Sequence, residues 1–192
     1  TFGLLVGGFG SQGLVAGAEK WYARMRHNLR DVDLVAHNAV INASARAGDP
    51  QRARLWLVRL ETATLQADKT SLNTALDAMA RASPEEVEEY FSELDSLFRP
   101  RAVDWPNAIT FSILMRPLAE QGDLSEVDRL WQRMLRYGLQ PKACNLWAVL
   151  AACANAQPAL PDIAVQRYQD WVEEGGETDR HVISALRLAL ES

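Results

Sequence analysis

One landmark returns through this chain at nearly constant spacing, and that recurrence limits the possible folds more than any other feature. Five segments fall into one alignment: TFGLLVGGFGSQG from Thr1, AHNAVINASARAGD from Ala36, SLNTALDAMARAS from Ser71, TFSILMRPLAEQGD from Thr110 and NLWAVLAACANAQ from Asn145. A single column holds Gly3, Asn38, Asn73, Ser112 and Trp147, at spacings of 35, 35, 39 and 35. A sixth copy, HVISALRLAL with Ser184 in the column, follows after another 37 residues. The irregular spacings coincide with the proline-bearing insertions RPRAVDWPN and QPALPD. A period of this length marks a supersecondary unit that cannot bury its apolar face alone and must stack on its neighbours.

Each unit divides in the same way. A first helix carries apolar and small residues at helical spacing, such as Val40, Ile41, Ser44 and Ala45. A turn follows at AGD or QGD, where Gly48 and Gly122 are suited to end a helix in the left-handed conformation. A second helix then repeats a small or branched residue, an aromatic and a Met or Leu on one face: Ala18, Trp21, Met25; Ala53, Trp56, Leu60; Val87, Tyr90, Leu94; Val127, Trp131, Met134. Ala164, Tyr168 and Trp171 follow the pattern more loosely. This aromatic column is expected to pack in the core. A linker ending in Asp33, Asp68, Asn107, Lys142 or Asp179 closes each unit. The reading predicts an all-α chain of about eleven helices in antiparallel pairs, without a sheet. The several glycines of the first helix, each costing roughly 1 kcal/mol relative to Ala, predict that it is the softest.

Tetratricopeptide repeats form helical pairs at a similar period, but their Trp–Leu–Gly–Tyr pattern is missing here. The chain instead resembles the pentatricopeptide repeat family, whose units read roughly T-Y-N-x-L-I-x-G-x-x-K-A-G and close with Met and G-x-x-P-D. Residues 36–48, AHNAVINASARAG, carry the likeness, as do Met134, Gly138 and Pro141 in WQRMLRYGLQPK. The resemblance implies a right-handed α-solenoid over residues 1–192, with repeats 1–33, 34–68, 69–107, 108–142 and 143–179 and a partial unit 180–192. Both ends are open in this register, so further protein is expected on at least one side.

The family resemblance also implies modular RNA reading, one base per repeat, by two or three side chains. Base choice in the family comes chiefly from the fifth and the last motif positions. Asn38 with Asp68 then favours uracil, and Asn73 with Asn107 favours pyrimidines. Ser112 with Lys142, Gly3 with Asp33 and Trp147 with Asp179 depart from the pattern. Arg46 and Arg81 match the late first-helix position that the family places near phosphates; Ser11, Glu120 and Asn155 do not supply a cation there. The resemblance further implies a mitochondrial or plastid location.

Charge bears on the partner. The chain has a formal net charge of −5, whereas nucleic-acid-binding domains are usually basic, because neutralised phosphates release counterions. Repeat 69–107 has four basic and eight acidic residues, leaving −4, and repeat 143–179 has one basic and six acidic, leaving −5. The acids cluster in EEVEEYFSELD and DWVEEGGETD, in second helices and linkers, away from the expected concave face. Two partners therefore stay open: single-stranded RNA on the concave face, or protein subunits of an organellar complex for which the solenoid is a scaffold.

Catalysis finds no support. His27, His37 and His181 are scattered, and Cys144 and Cys153 lie nine apart without a second ligand pair for zinc. No cofactor, metal or small-molecule substrate is expected, and no apolar run approaches membrane-spanning length. One decoy spells G-x-G-x-x-G at Gly8, Gly10 and Gly13, with Asp31 about twenty residues on, as a dinucleotide site requires. The same segment also aligns with four other repeats, which favours the helical reading.

Overall fold

The computed structural model describes residues 2–28, 33–62, 66–99 and 104–191. Among them are eleven α-helices and no strand. In the first of two compact units, residues 1–106, the helices are α1 (Phe2–Ser11), α2 (Val15–Asn28), α3 (Leu34–Arg46), α4 (Pro50–Thr62), α5 (Lys69–Ala82) and α6 (Val87–Phe98). In the second, residues 107–192, they are α7 (Ala108–Gln121), α8 (Leu124–Arg136), α9 (Ala143–Asn155), α10 (Pro161–Glu173) and α11 (Arg180–Glu191). The dinucleotide reading fails on this ground. Gly8 and Gly10 lie inside α1, and Gly13 is a left-handed turn residue at φ 69°. Asp31 lies outside the described residues.

Within each unit the first helices of the repeats pack on one another: α1 on α3 and α3 on α5, then α7 on α9 and α9 on α11. The second helices lie against them. Burial follows from this arrangement. Helix α9 has neighbours on several sides and buries an unbroken run from Ala148 to Ala154. Helix α8 buries only the stripe Val127, Leu130 and Met134; each such side chain contributes roughly 1.5–3 kcal/mol when removed from water. An Ala-rich first helix is what such crowding needs, since small side chains let helix backbones approach. Gly10 is the extreme case: a Cβ there would lie 2.6 Å from the Ala39 carbonyl oxygen on α3.

The AGD and QGD turns do two jobs in three residues. Gly48 (φ 70°) closes α3 while the Asp49 N–H donates back to the Ser44 carbonyl at 3.0 Å, a Schellman closure. The Asp49 carboxylate then accepts the Arg52 N–H at 2.9 Å and starts α4. Gly122 (φ 75°) and Asp123 repeat this between α7 and α8.

The aromatic column is only partly the core element that its spacing predicts. Trp56, Tyr90 and Trp171 are buried. Trp21 and Trp131 are half-buried, and in α2 the buried ring is the neighbouring Tyr22. Tyr22 stands edge-on to both His37 and Trp56, with ring centroids 4.8 and 4.7 Å away, while Trp21 turns outward and carries the Arg24 guanidinium on its face. Side-chain bonds tie successive second helices together: Glu19 on α2 accepts from the Trp56 indole at 3.0 Å and pairs with Arg52 at 3.3 Å, and Arg54 pairs with Glu93 on α6.

Candidate nucleic-acid interface

The residues that close each repeat share a second task. Asp33, Asp68, Asn107 and Asp179 all cap the first helix of the following repeat. Asp33 accepts the Ala36 N–H at 2.9 Å, and Asp179 accepts those of His181 and Val182 at 2.8 and 3.0 Å. At Asp68 the cap is reciprocal: its carboxylate takes the Ser71 N–H and hydroxyl at 2.8 and 2.7 Å, and the Ser71 oxygen takes the Asp68 N–H at 3.2 Å. Asn107 and Thr110 do the same at α7. An acid or amide at the last motif position is thus explained by four unsatisfied N–H groups at every helix start. The D-x-x-S and N-x-x-T spacing was a signal for these capping boxes that the repeat alignment alone passes over.

Asn38 sits on α3, one repeat before the cap at Asp68, and its Nδ2 donates to Asp68 Oδ1 at 3.3 Å. Burial by itself would raise the Asp68 carboxyl; the bonds from Ser71, then from Asn38, outweigh it and hold the group below its ordinary value of 3.8. An ionised carboxylate only accepts, so it fixes the amide with Nδ2 toward Asp68. Asn38 Oδ1 is buried and has no hydrogen-bond partner among the described residues. The arrangement holds one acceptor in a set orientation beside an anchored carboxylate.

The remaining candidates fall into different settings. Asn73 is half-buried on α5 in the first unit, and its partner by motif position, Asn107, caps α7 in the second. Ser112 turns its hydroxyl back to the Ile109 carbonyl of its own helix at 2.8 Å. Lys142 cannot cap by side chain, and Trp147 packs against the core of the second unit. Arg46 ends α3 in an exposed position, next to the Gly13 turn. Arg81 occupies the last turn of α5 and is held by Asp77, four residues earlier, at 2.7 Å. Both cations complement a helix C-terminus. Cys153 is buried and its thiol is pushed up to about 11 by that burial, which makes it a packing residue rather than a nucleophile. The described residues include no group of His, Cys, Asp and Glu able to hold a metal ion, and no helix long and apolar enough to cross a membrane.

A family model described as PPR repeat matches residues 1–28, 35–63 and 109–139, the first, second and fourth units of the spacing alignment. Three units of the chain are thus PPR repeats. Over 97% of its length this pentatricopeptide repeat chain is similar to the crystal structure of the pentatricopeptide repeat protein PPR10 from maize, with a TM-score of 0.65 and 20% identity. It spans only 26% of that protein. Maize PPR10 in complex with an 18-nt psaJ RNA element is matched at 0.62 and 23% identity. The PPR domain of Arabidopsis thaliana protein-only RNase P 1, in complex with tRNA, is matched at 0.65 and 13% identity, with 95% of this chain covering 93% of that one. At such identities the likeness is one of fold. No curated protein matches the chain by sequence.

Proposed function

We propose that this chain is a non-catalytic binder of single-stranded RNA in an organelle, and that Asn38 and Asp68 read one base. The observation that carries the reading is the bond between the two, which leaves Asn38 Oδ1 as an oriented acceptor without a partner among the described residues. Uracil presents an N–H donor at the centre of its Watson–Crick edge and cytosine presents an acceptor there, so this orientation favours uracil. Two of the similar structures are RNA complexes, which supports the same reading. Asn73, Asn107 and Ser112 are weaker readers in this scheme, and Arg46 and Arg81 hold phosphates.

The test separates base reading from charge. Asn38→Ala should relax the preference for uracil at one position and leave the salt dependence of binding intact. Arg46→Ala with Arg81→Ala should weaken all sequences alike and flatten the slope of log K against log salt by roughly two at most. Parent protein binding both U-rich and A-rich single strands more weakly than about 0.1 mM at low salt would end the RNA reading. The scaffold reading would then stand. It draws on the second unit, where Ser112 bonds back to its own helix and Trp147 packs inward.

A further inference from the structure

The second unit contains a hollow that the RNA reading does not use. It has a volume of about 120 Å³ and lies over α9, between α8 and α10. Leu146 and Val149 of α9 form its floor, and Trp131 of α8 and Trp171 of α10 line it. The two indoles stand nearly perpendicular, at 73°, with centroids 6.4 Å apart. Trp171 is held from behind. Its Nε1 donates to the Glu177 carbonyl at 3.0 Å, and Gly176 lies so close that a Cβ there would fall 2.1 Å from the ring. The indole N–H is therefore already satisfied, and what the ring offers the hollow is its π surface.

Three charged residues complete the lining: Arg167 and Asp170 of α10, and Glu174, which caps the C-terminus of that helix; their spacing places them on the same side as Trp171. They are not equivalent. The Arg167 guanidinium is engaged by Asp128 of α8 at 2.6 Å. Asp170 and Glu174 are exposed, and the nearest bond on Asp170 is a neutral one from the Gln166 amide at 2.7 Å. Two exposed carboxylates, two indoles and two aliphatic side chains therefore border the hollow, with the Arg167 cation already held by Asp128, in a repeat whose net charge is −5 by sequence.

We propose that this hollow binds the cationic side chain, Arg or Lys, of a peptide partner. A methylene stem suits the Leu146 and Val149 floor, a cation suits indole faces, and the two exposed carboxylates complement its charge. The volume matches one long side chain. The same carboxylates repel phosphates, so this is a site for a basic polypeptide and not an extension of an RNA path.

The test uses the whole chain with three blocked tripeptides, acetyl-Gly-X-Gly-amide, where X is Arg, Lys or citrulline, the neutral counterpart of Arg. A U-rich single strand is the fourth probe. The indole N–H signals of Trp131 and Trp171 are followed by two-dimensional NMR. Saturable shifts of both signals with the Arg or Lys peptide are expected, without comparable shifts from citrulline. Asp170→Asn with Glu174→Gln, both exposed positions, should weaken that binding by about tenfold while leaving the rest of the spectrum in place. Trp131→Leu should abolish it. The proposal is overturned if the cationic peptides produce no saturable shift, if citrulline binds as well as Arg, if the double variant binds like the parent, or if only RNA moves the two indoles.

Discussion

The chain passes from one repeat to the next at Asp68 in the first unit and at Lys142 in the second, and these crossings are built from different atoms. At Asp68 a half-buried carboxylate caps α5 and also receives the Asn38 amide. At Lys142 there is no acid to cap α9. Asn145, fully buried, ties this crossing from inside: its Oδ1 accepts the Lys142 N–H at 2.9 Å and its Nδ2 donates to the Ala108 carbonyl of α7, also at 2.9 Å. A linker can be fixed to the next helix from either side. Where the linker carboxylate caps the helix, a polar pair is left beside the first-helix layer. Where a buried amide holds the linker N–H and reaches the preceding first helix, the linker position is lysine, and Trp147 in the landmark column packs against the core.

The largest effect that sharpens this contrast is in the packing beneath it. Trp56→Ala removes a buried ring that touches Tyr22 and His37 and should cost on the order of 3–5 kcal/mol. Trp131→Ala, half-buried in the second unit, should cost clearly less in the same urea titration. Equal losses would mean that the aromatic column does one job throughout, and the contrast between the units would fail at this level.

Next in size are the crossings themselves. Asn145→Ala leaves the buried Ala108 carbonyl and the Lys142 N–H without their bonds and should destabilise by roughly 2–4 kcal/mol. Asp68→Ala removes an edge cap and should cost about 1–2 kcal/mol. The order is the point. If Asp68→Ala were the more costly, the interior amide would not be the stronger clamp.

The smallest expected effect is on pH. His37 is buried, with Tyr22 Oη 2.6 Å from its Nε2 and the Asp33 carbonyl 3.4 Å from its Nδ1. A carbonyl only accepts, so Nδ1 carries the proton and Nε2 accepts from the phenol. Burial lowers the His37 pKa below its ordinary 6.5, with Asp33 pulling it back only in part. The folded chain thus binds fewer protons here than the unfolded one. This contribution to stability is complete above about pH 6.5 and declines as pH falls below it. Asp68, shifted the opposite way for its charge, contributes above its ordinary 3.8 and loses that contribution only as pH falls through its lower folded value. The two windows are therefore separable. Denaturation midpoints from pH 7.5 to 5 should fall in the parent and fall less in His37→Gln; parallel curves would show that His37 does not carry the effect.

Much of this architecture is legible in the letters. The 35-residue landmark, the AGD and QGD turns and the alternation of helix pairs correspond to Gly48 and Gly122 at positive φ and to eleven helices among the described residues. These are local signals, because a helix period, a left-handed glycine and a capping carboxylate each act within a few residues. The column aromatic is a weaker signal. Trp21 and Tyr22 are adjacent, both large and both compatible with a second helix, and spacing alone selects the tryptophan. Burial selects the tyrosine, because its hydroxyl has His37 to bond.

The kind of unit, its length and its ends follow from interactions between residues close in the chain. Which atoms the Asn38 amide faces, that Asn145 joins the Lys142 N–H to the Ala108 carbonyl, and that Trp131, Trp171, Asp170 and Glu174 border one hollow depend on the tertiary structure. Each depends on side chains from different helices meeting at hydrogen-bond or contact distance, as Asn38 and Asp68 do across 30 residues and Asn145 and Ala108 across 37. A repeat period places such residues in equivalent turns but leaves their side-chain directions open; packing of the first helices against one another settles which of them touch.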